Sequence, residues 1–244
     1  MHYYPPYREL QKQNNYIYIL DFKQQDVNGD NIIDSIYLVG DKPNEIESPF
    51  TDNIALLIHD GKTNISTTIS LKENAGYNPT IFLGDFTGNK VSDILISIDS
   101  GGSGGYGFYY IYSYISNTLE KIFDHAKFNQ EYKYDVIYKD YDEVEVKEKD
   151  KSKKYIIDIK YKGKEYLSEI YDSNGRLKVP IQGWVNPLGG LYPVDFQRDG
   201  TYELYAYQRI AGRYNADGLG YVQTSLKWTE GEFVPFFQTV GIQG

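Results

Sequence analysis

The sequence contains no cysteine and no long apolar run. Without cysteine the chain has no disulfide framework, no thiolate metal site and no cysteine nucleophile. No segment approaches the roughly 20 apolar residues that cross a bilayer, and the first stretch lacks the apolar core of a signal peptide. We therefore expect a soluble chain without membrane insertion, whose compartment the sequence leaves unknown.

Basic residues are also scarce, because 25 Lys and Arg stand against 34 Asp and Glu, for a net charge of −9. A nucleic-acid-binding surface concentrates Lys and Arg to neutralise phosphate groups, so this balance predicts no nucleic-acid partner. Such an acidic chain favours cations as partners instead. The many Asn, Lys, Ile and Tyr residues indicate an AT-rich coding genome, which is typical of some bacteria.

The residues that are abundant indicate β-structure. The chain has 26 Tyr and 11 Phe among 244 residues, with frequent Ile and Val. Aromatic and β-branched side chains pack well on a pleated surface, and few segments have the apolar spacing of a helix. No Pro-, Gly- or Ser-rich linker divides the chain, so we predict a single all-β domain over residues 1–244.

A strand–loop–strand unit recurs along the sequence. "YILDFKQQDVNGDNIIDSIYLVG" is followed by "TIFLGDFTGNKVSDILISI" and later by "LYPVDFQRDGTYELYAYQ". The first two loops begin about 60 residues apart, and the third begins about twice that distance further on, which implies a degenerate copy in between. The predicted repeats cover roughly residues 16–75, 76–130, 131–185 and 186–244.

Repeats of about four strands at this period predict a small β-propeller-like array of antiparallel sheets, with about four blades, one of them degenerate. A single blade cannot bury both of its faces, so blades stack around a common axis. The alternative is an irregular β-sandwich or barrel with decorated hairpins.

The loop "DVNGDNIID" has the residue spacing of a calcium site. Calcium takes six to eight oxygen ligands, which carboxylates, an amide and a main-chain carbonyl can supply. An EF-hand is excluded because position twelve is Tyr37 and strands, not helices, are predicted on both sides. The predicted ligands of this nine-residue loop are Asp26, Asn28, Asp30, the carbonyl of Ile32, and Asp34.

Three motifs, "DVNGDNIID", "DFTGNKVSD" and "DFQRDGTYE", resemble the FG-GAP or VCBS-like repeat of integrin α-subunit propellers and many bacterial surface proteins. The resemblance implies that the loops bind calcium and that a propeller presents loops for recognition. Integrin-type propellers have more than four blades, which is the clearest departure from the pattern. The further predicted ligands are Asp85, Thr87, Asn89, Val91 and Asp93 in the second motif, and Asp195, Gln197, Asp199, Thr201 and Glu203 in the third.

The second and third motifs are expected to bind calcium more weakly than the first. Lys90 and Arg198 lie inside them, and fewer net negative charges weaken a calcium site. Asp, Asn and Gly are also common turn residues, whose side chains bond to nearby main-chain amides without any metal. A metal-free turn is therefore the alternative for all three motifs.

Two glycine-rich segments, "DSGGSGGYGFYY" and "AGRYNADGLGY", each follow a strand that leaves a calcium-type loop. A propeller would bring both to one end, where loops on a rigid scaffold commonly bind partners. Tyrosines supply flat amphipathic contact area, although they could equally pack between strands. The predicted contact residues for a protein or glycan ligand are Tyr106, Tyr109, Arg213, Tyr214, Asp217 and Tyr221.

Catalytic motifs are weak in this sequence. "GSGGYG" and "GGSGG" match dinucleotide and nucleophile-elbow patterns, but each needs a following helix where a strand is predicted. His2, His59 and His125 lack metal-ligand spacing, and Trp184 and Trp228 are predicted as core or strand-face residues rather than sugar platforms.

We therefore predict a non-enzymatic calcium-binding β-repeat protein that acts as a recognition or surface-structural module. The first alternative is a carbohydrate-binding or carbohydrate-cleaving module. The second is a purely structural protein of a cell or spore surface.

Overall fold

The computed structural model describes residues 11–12, 15–43, 48–149 and 151–242. Within these ranges the chain forms seventeen β-strands and two α-helices, and every pairing between strands is antiparallel. The all-β class predicted from the sequence is confirmed. Of the three histidines, His2 lies outside the described residues.

The first ten strands are β1 (Gln11–Lys12), β2 (Asn15–Tyr16), β3 (Tyr18–Gln25), β4 (Asp34–Asp41), β5 (Phe50–His59), β6 (Ser66–Ser70), β7 (Gly76–Gly84), β8 (Asp93–Asp99), β9 (Gly107–Ser113) and β10 (Glu120–Asp124). The remaining elements are α1 (His125–Glu131), β11 (Tyr134–Lys139), β12 (Glu143–Glu148), β13 (Lys154–Asp158), α2 (Gly163–Ile170), β14 (Gln182–Val194), β15 (Glu203–Ala211), β16 (Gly218–Thr229) and β17 (Glu232–Gly241).

The first sheet contains β3 to β10 in the order β10-β9-β8-β7-β5-β4-β3, with β6 on the side of β5. It consists of two meanders, β3 to β6 and β7 to β10. A short ladder that pairs Phe50 with Tyr77 and Thr51 with Gly76 joins them. Side chains alternate along β4, where Ile36 is fully buried, as expected for a strand with one face on a core.

The second sheet contains β11 to β17 in the order β13-β12-β11-β14-β15-β16-β17. It also consists of two meanders, β11 to β13 and β14 to β17, joined where Val136 pairs with Gly183 and Ile137 with Gln182. Along β15 the side chains alternate again, so that Leu204 and its inward neighbours are buried and the tyrosines between them face outward.

The edge strands of the second sheet, β13 and β17, approach each other without a ladder in the described ranges. The Tyr155 hydroxyl donates to the main-chain oxygen of Gln238 at 3.1 Å, and the Lys153 ammonium group donates to the same oxygen at 3.3 Å. The Gln238 amide in turn donates to the Tyr134 hydroxyl at 2.9 Å. We call this junction the seam, and it makes the second sheet a nearly closed barrel.

Two apolar cores lie on opposite faces of β8 and β9. Ile94, Ile96 and Tyr110 belong to the core of the first sheet. Leu95 and Ile111 point the other way, into the core of the second sheet. Because both faces are covered, β9 is an almost continuous apolar and aromatic run rather than an alternating one.

The four meanders lie near the four predicted repeats, although β14 begins at Gln182, before the predicted start of the fourth, and they do not form four separate blades. Short ladders join them in pairs, which produces two continuous sheets with a shared region of core. The blade arrangement was therefore the wrong part of the prediction. The observed arrangement corresponds to the alternative, a sandwich or barrel with decorated hairpins.

The two helices were not predicted. The Asp124 side chain accepts the main-chain N–H of Ala126 at 2.8 Å and so caps α1. In α2, Tyr166, Leu167 and Ile170 share one face and pack on the core of the second sheet, which overrides the strand-like appearance of that charged segment. Neither helix in the described part of the chain is long and apolar enough to cross a membrane.

Candidate functional site

Three nine-residue loops connect paired strands: the first loop (26–34), the second loop (85–93) and the third loop (195–203). Positions four and six of each loop adopt the left-handed region, so the three main chains follow the same path. The φ values are 83° and 64° at Gly29 and Asn31, 77° and 67° at Gly88 and Lys90, and 59° and 87° at Arg198 and Gly200.

The carboxylate at position one folds each loop around itself. Asp26 accepts the main-chain N–H groups of positions three, four and six at 3.2, 2.7 and 2.8 Å. Asp85 accepts the same three at 3.1, 2.7 and 2.7 Å. Asp195 accepts those of positions five and six at 3.1 and 3.0 Å. These bonds satisfy main-chain donors that the turn leaves without ladder partners.

The carboxylate at position nine closes each loop. Asp34, Asp93 and Glu203 each accept the main-chain N–H of position two in their own loop at 3.0 Å. All three side chains are buried, with residue exposures of 0%, 1% and 5%. The sequence spacing therefore identified equivalent residues, and one oxygen of each is used for loop closure.

The other oxygen of the position-nine carboxylate distinguishes the three loops. Asp34 Oδ1 accepts the main-chain N–H of Gly61 at 3.0 Å. Glu203 Oε1 accepts the side-chain amide of position three at 3.2 Å. In the second loop, by contrast, Asp93 Oδ1 and the Thr87 hydroxyl oxygen at position three are both buried without a hydrogen-bond partner.

The environment of Asp93 disfavours its charged form. Burial raises the pKa of this carboxyl group from 3.8 to about 6, and the nearby charge of Asp85 acts in the same direction. The N–H of Phe86 and the hydroxyl of Ser113 oppose the increase, although Ser113 does not reach hydrogen-bonding geometry at Oδ1. No basic side chain of the described residues forms an ion pair with Asp93.

The side chains of the first loop are already committed to protein partners. The Asn28 amide donates to Asn117 at 3.1 Å, and the Asn117 amide donates to Asp60 at 3.0 Å. The Lys62 ammonium group lies 3.7 Å from Asp30 Oδ2. The first loop, which has one more carboxylate than the second, thus has its side-chain oxygens already in use.

The three loops form a row in which each touches the next. Gly29 lies against Val91, because a Cβ atom at Gly29 would stand 3.2 Å from Val91 Cγ2. A Cβ atom at Gly88 would similarly stand 3.9 Å from Thr201 Cγ2. Asp85 and Thr201 also form an isolated parallel bridge. Position four of one loop therefore contacts position seven of the following loop in both junctions.

No group of three or more His, Cys, Asp or Glu side chains among the described residues is placed to hold a metal ion. Calcium sites also use amide, hydroxyl and main-chain oxygens, so the predicted ligands remain a prediction. At position seven, Ile32, Val91 and Thr201 each donate their main-chain N–H to the side chain of position five, at 2.8, 2.8 and 2.9 Å.

The two glycine-rich segments contact each other, although the propeller from which their proximity was expected is not formed. The Asn215 side-chain amide donates to the Ser103 hydroxyl at 3.4 Å. Asn186 of β14 lies between the segments and donates to the main-chain oxygen of Gly104 at 3.0 Å and to Asn215 Oδ1 at 3.5 Å. A side chain outside both segments therefore holds them together.

The predicted contact tyrosines differ in exposure. Tyr106 and Tyr214 are 37% and 55% exposed, so both present surface to solvent. Tyr109 is only 5% exposed, and its hydroxyl donates to the main-chain oxygen of Gly189 at 3.1 Å. Tyr109 is therefore a core residue, and its prediction as a contact residue was wrong, because β9 is covered on both faces.

Arg213 and Asp217 support the loop from inside. Asp217 is 2% exposed, lies 2.7 Å from the Lys162 ammonium group, and accepts the Tyr166 hydroxyl at 2.7 Å. The Arg213 guanidinium group lies 4.4 Å from the ring centre of Tyr166 and pairs with Glu169 at 2.6 Å. Both side chains attach the loop to α2, so their prediction as free partner contacts is corrected.

Tyr221 belongs to a row of tyrosines on the outward face of the second sheet. Its ring meets the ring of Tyr207 edge-on at 5.3 Å, and Tyr207 stacks on Tyr192 at 5.6 Å. Tyr192 is 49% exposed. This row is separate from the hydrogen-bonded contact between the glycine-rich segments.

Trp184 lies on a strand face, which is one of the two positions predicted for it. It is 38% exposed, and its indole N–H donates to Asn186 Oδ1 at 2.8 Å. Residues two apart on a strand share a face, so this pair could have been found in "WVN". The contact of Asn186 with the two glycine-rich segments could not.

His125 forms the other polar cluster of interest. It is 5% exposed, with Nε2 lying 3.7 Å from Glu73 Oε2, which also accepts the Tyr110 hydroxyl at 2.7 Å. Burial lowers the pKa of His125, although Asp124 and Glu73 oppose this change. The imidazole is thus enclosed among aromatic rings rather than presented in an open cleft.

The profile of the YybI C-terminal domain matches residues 132–241, which include every strand of the second sheet. The chain is 52% identical over 219 residues to the uncharacterized protein YybI of Bacillus subtilis (strain 168), across 90% of this chain and 83% of that protein. The chain belongs to the YybI family. No solved structure matches it significantly.

Only some of the candidate residues lie within the range that the YybI C-terminal domain matches. The third loop, Trp184 and Asn215 lie inside the matched range, whereas the first and second loops lie before it. The alignment with the Bacillus subtilis YybI protein is much longer than the domain match. Neither match names an FG-GAP or VCBS repeat, so that resemblance remains a prediction for this YybI-family chain.

Proposed function

We propose that this member of the YybI family is a calcium-binding, non-enzymatic β-repeat protein that acts in recognition or surface structure. The observation that carries the calcium proposal is the pair of buried oxygens without partners in the second loop, Asp93 Oδ1 and Thr87 Oγ1. A buried polar atom without a partner costs about 1–3 kcal/mol, so such atoms mark positions where an ion or a water is needed.

The second loop offers oxygen donors of the kinds that calcium accepts. Asp85 and Asp93 are carboxylates, Thr87 contributes a hydroxyl and Asn89 an amide oxygen. Calcium tolerates an irregular set of six to eight oxygens, whereas magnesium requires a small octahedron. A bound cation would favour the charged form of Asp93 and offset the repulsion between it and Asp85.

Calcium in the second loop would also stabilise the row of loops. The second loop is the middle member and contacts the first loop through Val91 and the third loop through Gly88. An ion that fixes this loop therefore restrains three loops across two sheets. The first and third loops are weaker candidates, because their position-nine carboxylates already have partners for both oxygens.

The proposal of a non-enzymatic role rests on the state of the polar clusters. His125 is enclosed, and Arg213 and Asp217 bind to α2 rather than to open solvent. The exposed groups on the contact between the glycine-rich segments are aromatic rings, amides and a hydroxyl. Such groups suit recognition of a partner better than proton transfer.

The calcium proposal is tested by equilibrium unfolding of the wild type and Asp93→Asn in calcium, in magnesium and in chelator. Calcium at about 100 times its Kd should stabilise the wild type by about 2.7 kcal/mol. The increment should disappear in Asp93→Asn, and magnesium should give little. Asp30→Asn in the first loop is the matched control, because it alters a predicted ligand there and should keep the increment.

Two results would contradict the proposal. Coincident unfolding curves of the wild type in calcium and in chelator would remove calcium altogether and leave a water-filled turn. If Asp30→Asn loses the calcium-dependent stabilisation and Asp93→Asn keeps it, the ion binds in the first loop, as ligand charge alone predicts.

A further inference from the structure

The contact between the two glycine-rich segments contains a chain of neutral hydrogen-bonding groups. The Trp184 indole donates to Asn186, whose amide donates to Gly104 and to Asn215, and Asn215 donates to Ser103. The chain starts on β14 and ends at the tip of the first glycine-rich segment. We call these residues the amide cluster.

The inner part of the amide cluster is buried, and the outer part has unused hydrogen-bonding capacity. Asn186 is 5% exposed, and its main-chain oxygen accepts the Gln208 amide at 3.2 Å. The bonds of Asn215 are long, at 3.4 and 3.5 Å, and Ser103 is exposed. Asn215 and Ser103 can therefore donate to and accept from a ligand while Asn186 stays in place.

Trp184 and Tyr106 lie at the amide cluster, and Tyr214 directly precedes Asn215 in the chain. Trp184, Tyr106 and Tyr214 are 38%, 37% and 55% exposed. A Cβ atom at Gly104 would lie 3.0 Å from the ring of Tyr106 and 4.0 Å from the Asn186 amide, so a side chain there would separate them. The indole N–H is already bonded, which fixes the orientation of the ring and leaves its apolar surface for contact.

The residues of the amide cluster and the three rings carry no charge. Arg213 and Asp217 of the second segment are engaged with Glu169, Lys162 and Tyr166. The cluster therefore offers rings, amides and a hydroxyl to a ligand. Flat apolar rings beside groups that both donate and accept match a sugar, which has apolar faces and hydroxyl edges.

We infer that the amide cluster with Trp184, Tyr106 and Tyr214 is a binding site for a neutral glycan. The inference depends on the proposed recognition role, of which it specifies the ligand class, and not on the proposed calcium site. An amide already held by hydrogen bonds beside an aromatic platform reduces the side-chain entropy that a ligand must remove. The ligand is a neutral polysaccharide chain, because the cluster and its rings offer hydrogen-bonding and apolar groups without charge.

Affinity electrophoresis tests this inference in gels that contain hydroxyethyl cellulose, xylan, galactomannan or β-1,3-glucan. Polygalacturonate serves as the anionic counterpart, and every gel is run in calcium and in chelator. We expect at least one neutral polymer to retard the wild type. Trp184→Ala should weaken that retardation by about tenfold or more, as for loss of an aromatic anchor. Phe237→Ala is the matched control, because Phe237 is 56% exposed on β17 and outside the cluster.

Tyr214→Ala is the second variant, for the case in which Trp184→Ala disturbs folding. Tyr214 is exposed, so its replacement should weaken retardation without affecting the fold. Three results would overturn the inference: retardation by none of the neutral polymers, retardation by polygalacturonate alone, or full retardation of both variants. Capture of a protein partner that survives Trp184→Ala would likewise assign recognition to another surface. If calcium stabilises the protein but no neutral polymer retards it, only the glycan site is refuted, because calcium-dependent stability is measured in the separate unfolding experiment.

Discussion

The first and second loops have the same main-chain path, but their buried acidic side chains differ in how many hydrogen-bond partners they have. In the first loop, both oxygens of Asp34 accept main-chain N–H groups, one of them from the neighbouring hairpin at Gly61. In the second loop, Asp93 receives only one such bond and keeps a buried oxygen without a partner. The loop with fewer carboxylates is therefore the one that keeps a buried carboxylate oxygen without a partner.

This difference means that the number of acidic residues in a loop does not identify which carboxylate lacks hydrogen-bond partners. A carboxylate whose lone pairs already meet N–H donors acts as a structural acceptor, like a helix cap. A carboxylate that is desolvated without donors needs an ion, a proton or a water. The same spacing of residues therefore has two uses within one chain.

The largest expected effect is that of removing the structural carboxylate of the first loop. Asp34→Ala deletes two hydrogen bonds to a carboxylate and leaves the buried N–H of Val27 without a partner, which should cost about 3–5 kcal/mol of unfolding free energy. Denaturant unfolding measures this loss. Asp30→Ala is the control, because Asp30 is partly exposed and accepts one bond within the loop, so its loss should be about 1 kcal/mol or less. Equal losses for both variants would contradict the comparison.

The next effect is a pH dependence that belongs to the second loop. The folded-state pKa of Asp93 is about 6 against an ordinary value of 3.8, so folded protein holds this proton more tightly than unfolded protein. The resulting stabilisation is fully present below about pH 4 and is lost as the pH rises through about 6. In chelator, the free energy of unfolding of the wild type relative to Asp93→Asn should fall by roughly 2–3 kcal/mol over this interval.

Taking the difference between wild type and Asp93→Asn at each pH cancels the titration of all other groups. Calcium should flatten the difference, because a bound cation keeps Asp93 ionised in the folded protein. A pH-independent difference in chelator would show that Asp93 is not desolvated as its burial indicates.

A smaller effect, with a change of sign, is expected for Thr87→Val. Valine has nearly the same shape and lacks the buried hydroxyl oxygen without a partner, so in chelator the variant should be more stable by about 1 kcal/mol. In calcium it should lose part of the metal-dependent increment, because a ligand oxygen is missing. Unfolding curves in both conditions test this, and a variant that is destabilised in chelator would show that the hydroxyl is satisfied.

The smallest effect concerns the main chain that the loops share. Lys90 holds position six of the second loop at a φ of 67°, where the third loop has glycine, and the left-handed region costs a non-glycine residue about 1 kcal/mol. Lys90→Gly should stabilise the protein by roughly 0.5 kcal/mol after the entropy of glycine is included. Gly200→Ala, with no atom within 4 Å of its added Cβ, is the reverse control and should destabilise it. Destabilisation by Lys90→Gly, or stabilisation by Gly200→Ala, would show that the loops differ in main-chain strain.

Much of the fold could be predicted because it depends on local sequence. Alternation along strands such as β4 and the left-handed positions near Gly29 and Gly88 specify hairpins and loops without knowledge of the tertiary structure. The pairing of meanders could not be predicted, because each junction is a ladder of only two residue pairs. Such a short ladder leaves no periodic pattern in either strand.

The sequence predicted the positions of the candidate site residues, but not their burial or their hydrogen-bond partners. The spacing identified Asp34 and Asp93 as equivalent, but the partner of Asp34 is Gly61, which belongs to the next hairpin. Likewise Tyr109 lies in a run of aromatic residues whose burial on both faces depends on a second core. Contacts between distant segments decide these states, and residue type alone does not encode them.

The seam closes the second sheet with a different kind of bond from the ladders around it. Its two edges meet at Gln238, which accepts from Tyr155 and Lys153 and donates to Tyr134. The neighbouring strands of the sheet are paired by main-chain ladders. The hydrogen bonds that close the barrel therefore depend on side-chain identity, which a substitution can change without altering any ladder.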